Sequence, residues 1–283
     1  MQKAVKKILS FLLVCCTVAG SYLANGSLGM RASAAGNPPQ PPENLKVNLL
    51  EEPLGIPKEA VRFSWAFEDQ DYDEYQTAYR IVVSDTETNF QQGVYQYDSG
   101  WSETAESSGV MPAGLTEALK DNRLYYWAVQ VRDSEGLESG LSQPQMFVTA
   151  TGENWTSKDG IWGSSNQKFV FLRSKLSVNK PVERVVANVT ASSTETSRQY
   201  VYQFYVNGEL IGLGPSQKNL TSLYYNTYDI TSALKQGDNI LGAVCYAEDT
   251  QAFLCQITAF YQDGTQEILS NSGESPSNWQ TLD

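Results

Sequence analysis

From Asn44 onward, short runs of β-favouring residues alternate with turns, and no long helical period interrupts them. That rhythm confines the chain to an all-β fold. Residues 61–67 (VRFSWAF) alternate apolar and polar side chains as a half-buried strand does. Residues 78–83 are β-rich and stop at Ser84-Asp85, and residues 124–132 (LYYWAVQVR) form the strongest strand, closed by residues 133–136. With residues 95–98 and 145–149 these are the clearest in a series of roughly seven strands broken by turns every 8–12 residues, the pattern of an immunoglobulin-like sandwich. Residues 151–165, rich in Gly, Ser and Asn and carrying Trp155, Ile161 and Trp162, read as a domain junction. A second strand series follows at 168–176, 185–191, 200–206, 239–246, 253–261 and 267–269. Asn207-Gly208 marks a type I′ hairpin, and Asp263-Gly264 is read as a second such turn. The one helical hint lies near 231–235, capped by Asp229 or Thr231 and ended by Gly237. The expectation is two antiparallel β-sandwich domains, fibronectin type III/Ig-like over residues 36–152 and jelly-roll-like over 153–283.

Residues 1–35 stand apart. Lys3, Lys6 and Lys7 precede an apolar run of about 12 residues, and Ala32-Ser33-Ala34-Ala35 has the form of a cleavage site. This predicts a cleaved signal peptide and a secreted protein. A membrane anchor is the competing reading, but the run is short of the ~20 residues a span needs. Residues 1–35 hold four of the 20 basic residues and none of the 32 acidic ones, so the remainder carries a formal charge of −16. That charge argues against nucleic acid and membrane-surface partners. The chain has no histidine, which excludes Ser-His-Asp and Cys-His nucleophilic sites and the usual zinc sites. No carboxylate pair stands out by spacing, so no catalytic residue, metal site or cofactor is expected. Cys245 and Cys255 flank a polar turn and are placed to face each other across a hairpin, as a disulfide or as two buried thiols.

Aromatic residues supply the candidate binding positions. Along 200–206 one set, Tyr200, Tyr202, Phe204 and Val206, alternates with Val201, Gln203 and Tyr205, and only one set faces a core. Tyr224, Tyr225, Asn226, Tyr228 and Asp229 fall in a loop-like segment, and loops carry function more often than strands. These five are the predicted sugar contacts, tyrosine joining an apolar ring to a hydroxyl handle. In the competing reading, Asp229 caps a short helical turn and the tyrosines pack beneath the loop. Trp127 and Trp65 read as core, and Trp155 and Trp162 as a seal on the junction. Asp69, Asp71, Asp73 and Glu74 superficially resemble a calcium loop but lack its glycine register, so a solvated acidic turn is expected. Sequons stand at Asn154, Asn188 and Asn219.

Several segments, in order, resemble the N-terminal region of bacterial α-L-rhamnosidases. In the first domain they are residues 63–65, 76–83, 97–100 and 125–133, similar to a fibronectin type III-like opening module. In the second, residues 172–176 resemble the family's R-K-x-F strand and residues 206–212 its N-G-x-x-x-G hairpin. Residues 225–231 with 237–239 resemble its Y-x-T-Y-D-x-T…G-x-N segment, and residues 260–265 with Trp279 its Y-x-D-G-x…W ending. Residues 241–247 replace the family's Gly-rich, Trp-containing loop. The resemblance implies an accessory, carbohydrate-binding role beside an (α/α)₆ catalytic barrel in the same polypeptide, with a rhamnose-containing glycan as ligand. None of that barrel is present, so the chain alone is expected to be non-catalytic and cut short near Asp283. The alternative is a free-standing secreted glycan-binding or scaffold β-protein.

Overall fold

A computed structural model describes residues 36–164, 167–192, 200–216, 223–248, 251–273 and 278–282. The expected signal peptide and the Asn219 sequon lie outside the described residues. Strands dominate, as the alternation predicts. In the first sandwich, β1 (Glu43–Val47) pairs with β2 (Phe63–Ala66). They face a sheet ordered β4 (Tyr97–Asp98), β3 (Ala78–Ser84), β5 (Leu124–Arg132), β6 (Gln145–Val148). The core between them holds Phe63, Trp65, Tyr79, Ile81, Trp127, Val129 and Phe147. Trp127 is fully buried, its ring 4.3 Å from that of Phe63. Trp65 is buried too and donates its indole N–H to Gln76 Oε1 at 2.8 Å, so its polar handle is satisfied. Two short helices escape the alternation: Glu87–Gln91, capped by the Thr86 hydroxyl, and Leu115–Ala118.

The second sandwich contains β7 (Phe169–Val178), β8 (Val182–Ser192), β9 (Tyr200–Val206), β10 (Glu209–Gly214), β11 (Asn226–Asp229), β12 (Gly237–Ala247), β13 (Ala252–Tyr261), β14 (Gln266–Asn271) and β15 (Gln280–Leu282). A five-stranded sheet, β10–β9–β12–β7–β15, lies over a four-stranded one, β11–β8–β13–β14. The chain crosses repeatedly from one sheet to the other, the double-layered winding of a jelly roll. Tyr202, Phe204, Leu241, Phe253, Ile257 and Trp279 fill the core between them. Each large apolar side chain so buried stabilises the fold by about 1.5–3 kcal/mol before the entropy of ordering is counted.

Three local expectations are corrected. Residues 226–229 are not a loop but the edge strand β11, paired antiparallel with β8. Asn207 and Gly208 have φ of 50° and 88°, as a type I′ turn requires, but at Asp263-Gly264 only the glycine is left-handed, at 79°. There Tyr261 N–H donates to Thr265 O and Gly264 N–H to Tyr261 O, a three-residue loop with its glycine left-handed. Cys245 and Cys255 do not face each other across a hairpin, because β12 and β13 belong to opposite sheets. Both point into the common core as free, buried thiols, whose pKa values burial raises.

Candidate functional site at the seam between the sandwiches

The five predicted contacts occupy one short stretch, but most turn toward the protein. Asp229 Oδ1 accepts from the Thr231 amide at 2.9 Å and its hydroxyl at 2.6 Å, capping a 3₁₀ turn over Thr231–Ala233. Its Oδ2 accepts from Arg184 Nη1 at 2.8 Å. Arg184 also donates through Nη2 to Glu52 of the first sandwich at 2.8 Å and lies against Met146 Sδ. Burial alone would lower the Arg184 pKa, but the carboxylates of Glu52 and Asp229 outweigh it and the net shift is upward. Tyr228 stacks on Phe204, its hydroxyl 3.0 Å from that of Tyr202 and donating to Leu213 O at 3.2 Å. Tyr225 meets Trp155 edge-on at 5.3 Å, and burial raises its pKa. Asn226 closes an amide–serine pair with Ser216. Tyr224 is 45% exposed, held by its backbone carbonyl, which accepts from Thr190 Oγ1 at 2.7 Å. Of the five, Tyr224 alone presents its ring largely to solvent.

What the segment helps to build is a seam. Leu124 and Tyr126, on the face of β5 opposite to Trp127, join Val148, Val186 and Phe260 in a cluster that spans both sandwiches. Beside it runs a chain of buried amides and hydroxyls. Asn122 Nδ2 donates to Thr258 Oγ1, Asn188 Nδ2 to Thr151 Oγ1 at 2.6 Å, and Thr227 Oγ1 to Asn188 Oδ1 at 2.9 Å. Gln256, fully buried, accepts from the Thr156 amide, the Thr156 hydroxyl and Asn271 Nδ2, and donates to Asn154 O. Buried polar groups so fully partnered specify one arrangement. Asn188, one of the predicted sequons, is 2% exposed and committed to this chain.

A cleft of about 240 Å³ opens along the seam, with Asp85, Glu87, Arg123, Tyr126, Glu183 and Gln266 among its lining residues. Burial raises the Tyr126 pKa and the neighbouring Glu183 carboxylate raises it further. Burial also pushes Tyr261 up to about 12, with Glu267 accepting from its hydroxyl at 2.8 Å. Gln266 Oε1 is buried without a protein donor. Carboxylates, a guanidinium and an amide over an aromatic floor offer acceptors and donors to a polyhydroxylated ligand. The sequence reading missed this cleft because its walls come from residues far apart in the chain that only the docking of the sandwiches unites.

The acidic turn holds itself together: Asp69 Oδ1 accepts from the Asp71 amide, Asp71 takes both nitrogens of Asn37, and Glu74 accepts from Ser134. Among the described residues no group of three or more His, Cys, Asp or Glu is placed to hold a metal ion.

Residues 42–153 match the family model of the Rha78A-like N-terminal immunoglobulin domain. An alpha-L-rhamnosidase of Formosa agariphila is 26% identical over 239 residues, covering 71% of this chain and 24% of that protein. Another, from an Alteromonas species, is 25% identical over 268 residues, covering 82% of this chain and 28% of its own length. The chain thus spans about a quarter of the curated relatives it matches. Among solved structures, an alpha-L-rhamnosidase from Dictyoglumus thermophilum superposes with a TM-score of 0.65 at 24% identity, over 86% of this chain and 29% of that one. One from Aspergillus terreus superposes with a TM-score of 0.52 at 18% identity, over 86% and 29% of the respective chains. Both structures share the fold.

Proposed function

We propose that this chain, which carries a Rha78A-like N-terminal immunoglobulin domain and resembles the N-terminal region of α-L-rhamnosidases, is the non-catalytic accessory region of a secreted α-L-rhamnosidase-like glycoside hydrolase. Its two domains, taken as residues 36–152 and 153–283, form a base for a catalytic barrel in the same polypeptide, and the region binds a rhamnose-containing glycan. The observation that carries this reading is the seam. Relatives named as rhamnosidases align across both sandwiches, and in this chain Arg184, Asn188 and the Tyr126 cluster hold the sandwiches in one orientation. A module that must present a neighbouring domain at a fixed angle needs such a joint, whereas domains joined by a bare linker move freely.

The first test is to read the source DNA beyond the codon for Asp283. A frame that runs on for several hundred residues into a helix-rich segment supports the proposal, and an immediate stop codon overturns the enzyme-associated part of it. Mass spectrometry of the protein recovered from the culture medium checks export: the expected N-terminus follows Ala34 or Ala35, and retention of Met1 in the cell fraction counts against it.

A further inference from the structure

The two outer faces of the second sandwich differ in kind. The outer face of β8 and β13 is covered by the first sandwich and the 151–161 segment. Among the described residues, none covers the outer face of the five-stranded sheet where β7 runs. β7 alternates without a break, and Phe169, Phe171, Arg173 and Lys175 all point outward. Phe169 is 64% exposed and Phe171 55%. Strand register places their neighbours. Tyr246 lies opposite both Phe169 and Val201, its ring 4.8 Å from that of Phe169. In the next row Val244 lies between Gln203 and Phe171, with Leu282 beyond. The row after that reads Tyr205, Gly242, Arg173, Gln280 across four strands. A Cβ at Gly242 would find nothing nearer than 3.8 Å, so the glycine leaves an open floor between Tyr205 and Arg173. With strands about 4.8 Å apart, that floor is roughly 10 Å wide, the breadth of a pyranose ring with its substituents. A depression of about 500 Å³ lined by Arg173, Lys175, Asn278 and Gln280 continues it.

The face therefore has an aromatic half and a cationic half. Arg173 and Lys175 sit side by side on a chain of net charge −12, and neither makes an ion pair with a described carboxylate. The geometry points to a binding site for an anionic oligosaccharide across this face, an inference that rests on the glycan-binding reading above and names its surface. The rings of Phe169, Phe171 and Tyr246 pack on the C–H faces of sugar rings. The Arg173 guanidinium takes a carboxylate or sulfate ester in a two-pronged hydrogen bond, and Lys175 adds a point charge. Gln203, Tyr205 and Gln280 serve hydroxyls. A protein partner fits less well, since the centres of protein interfaces are depleted in lysine and charge, and here both cations lie within the face. Two cations on an acidic protein are too few for a nucleic acid backbone.

The test is calorimetric titration of the full chain with hexagalacturonic acid, a carrageenan hexasaccharide and a neutral galactohexaose, at 50 and 300 mM NaCl. The acidic hexamers bind and the neutral one does not. Preference between the first two identifies carboxylate or sulfate as the anion. Binding weakens at the higher salt and by about 10-fold or more in Arg173→Ala/Lys175→Ala. Gly242→Val, whose Cβ meets nothing nearer than 3.8 Å, abolishes it by filling the floor. Wild-type binding that survives both variants overturns this face as the site while leaving the glycan-binding reading intact. Failure of all three oligosaccharides to bind overturns the inference and leaves the rhamnose-glycan reading to a titration with a rhamnose-containing oligosaccharide. Equal binding of the neutral hexamer removes the anionic specificity. A concentration-dependent dimer that Phe171→Asp dissolves shows that a second copy of the chain covers the face, and refutes the inference.

Discussion

Gln256 is the position where the packing of residues 154–157 on the second sandwich is most exposed to a single substitution. Its carboxamide takes part in four hydrogen bonds: it accepts from Thr156 N at 2.8 Å, Thr156 Oγ1 at 3.0 Å and Asn271 Nδ2 at 2.9 Å, and donates to Asn154 O at 3.1 Å. Gln256→Leu keeps the volume and removes all four. Thr156 and Asn154 are exposed, so water replaces most of what they lose. Asn271 is 3% exposed, and its Nδ2 keeps only the bond to Ser157 O, so one amide N–H is left buried and unpartnered at about 1–3 kcal/mol. Adding a few tenths for each rehydrated group gives about 2–4 kcal/mol in all. For a body of this size that lowers Tm by about 6–12 °C. Scanning calorimetry reads the shift, with the exposed Gln143→Leu as control. The same loss frees residues 154–157 from the second sandwich, so trypsin cuts after Lys158 at least 10-fold faster as local opening becomes easier. A Tm within about 2 °C of wild type, with unchanged cleavage, refutes the claim that this amide clamps the segment.

Gly214→Ala destabilises by about 1–3 kcal/mol, seen as a lower urea midpoint, because a Cβ there collides with the Tyr202 hydroxyl, which bonds Val189 O and Tyr228. With no histidine to titrate, Tm is flat between about pH 5.5 and 8.5. Above about pH 10 stability falls. Tyr97 and Tyr261 are raised to about 12, chiefly by burial, so between about 10 and 12 the unfolded chain binds fewer protons than the folded one. Circular dichroism against pH, compared with tyrosinate absorbance, checks that the loss coincides with ionisation. Cys245 and Cys255, buried with raised pKa values, react with a thiol reagent only in denaturant.

The fold was legible where one face of a strand meets water. The alternation at 61–67 and 200–206 announced the strands, and of the two sets along 200–206 the one with Tyr202, Phe204 and Val206 is buried. Asn207-Gly208 carried its turn type on its face. The short strand β11 was not legible. Its four residues show no alternation, and its partner β8 lies some 40 positions earlier in the chain, so nothing local marks the pairing. The short helix over Glu87–Gln91 was hidden for a similar reason: five residues hold too little periodicity to register, though Thr86 is a good cap.

The segment that carries the candidate contacts packs as it does for a reason that the strands themselves display. Residues 224–228 read as loop-like, with their tyrosines either outward or packed beneath, yet the neighbouring β8 runs VVANVTA and is buried on both faces from Val185 to Ala191. A strand with no polar–apolar alternation is covered on both sides, so whatever pairs with it is drawn toward an interface. Tyr225 and Tyr228 accordingly become packing, and Asp229 becomes an anchor for Arg184. β7 has the opposite signature: strict alternation, with Phe169, Phe171, Arg173 and Lys175 on the side that water sees. Solvation alone does not account for two exposed phenylalanines, and packing does not account for two cations beside them that pair with no described carboxylate. A free face carrying both is where a ligand combining an apolar surface with negative charge should be sought.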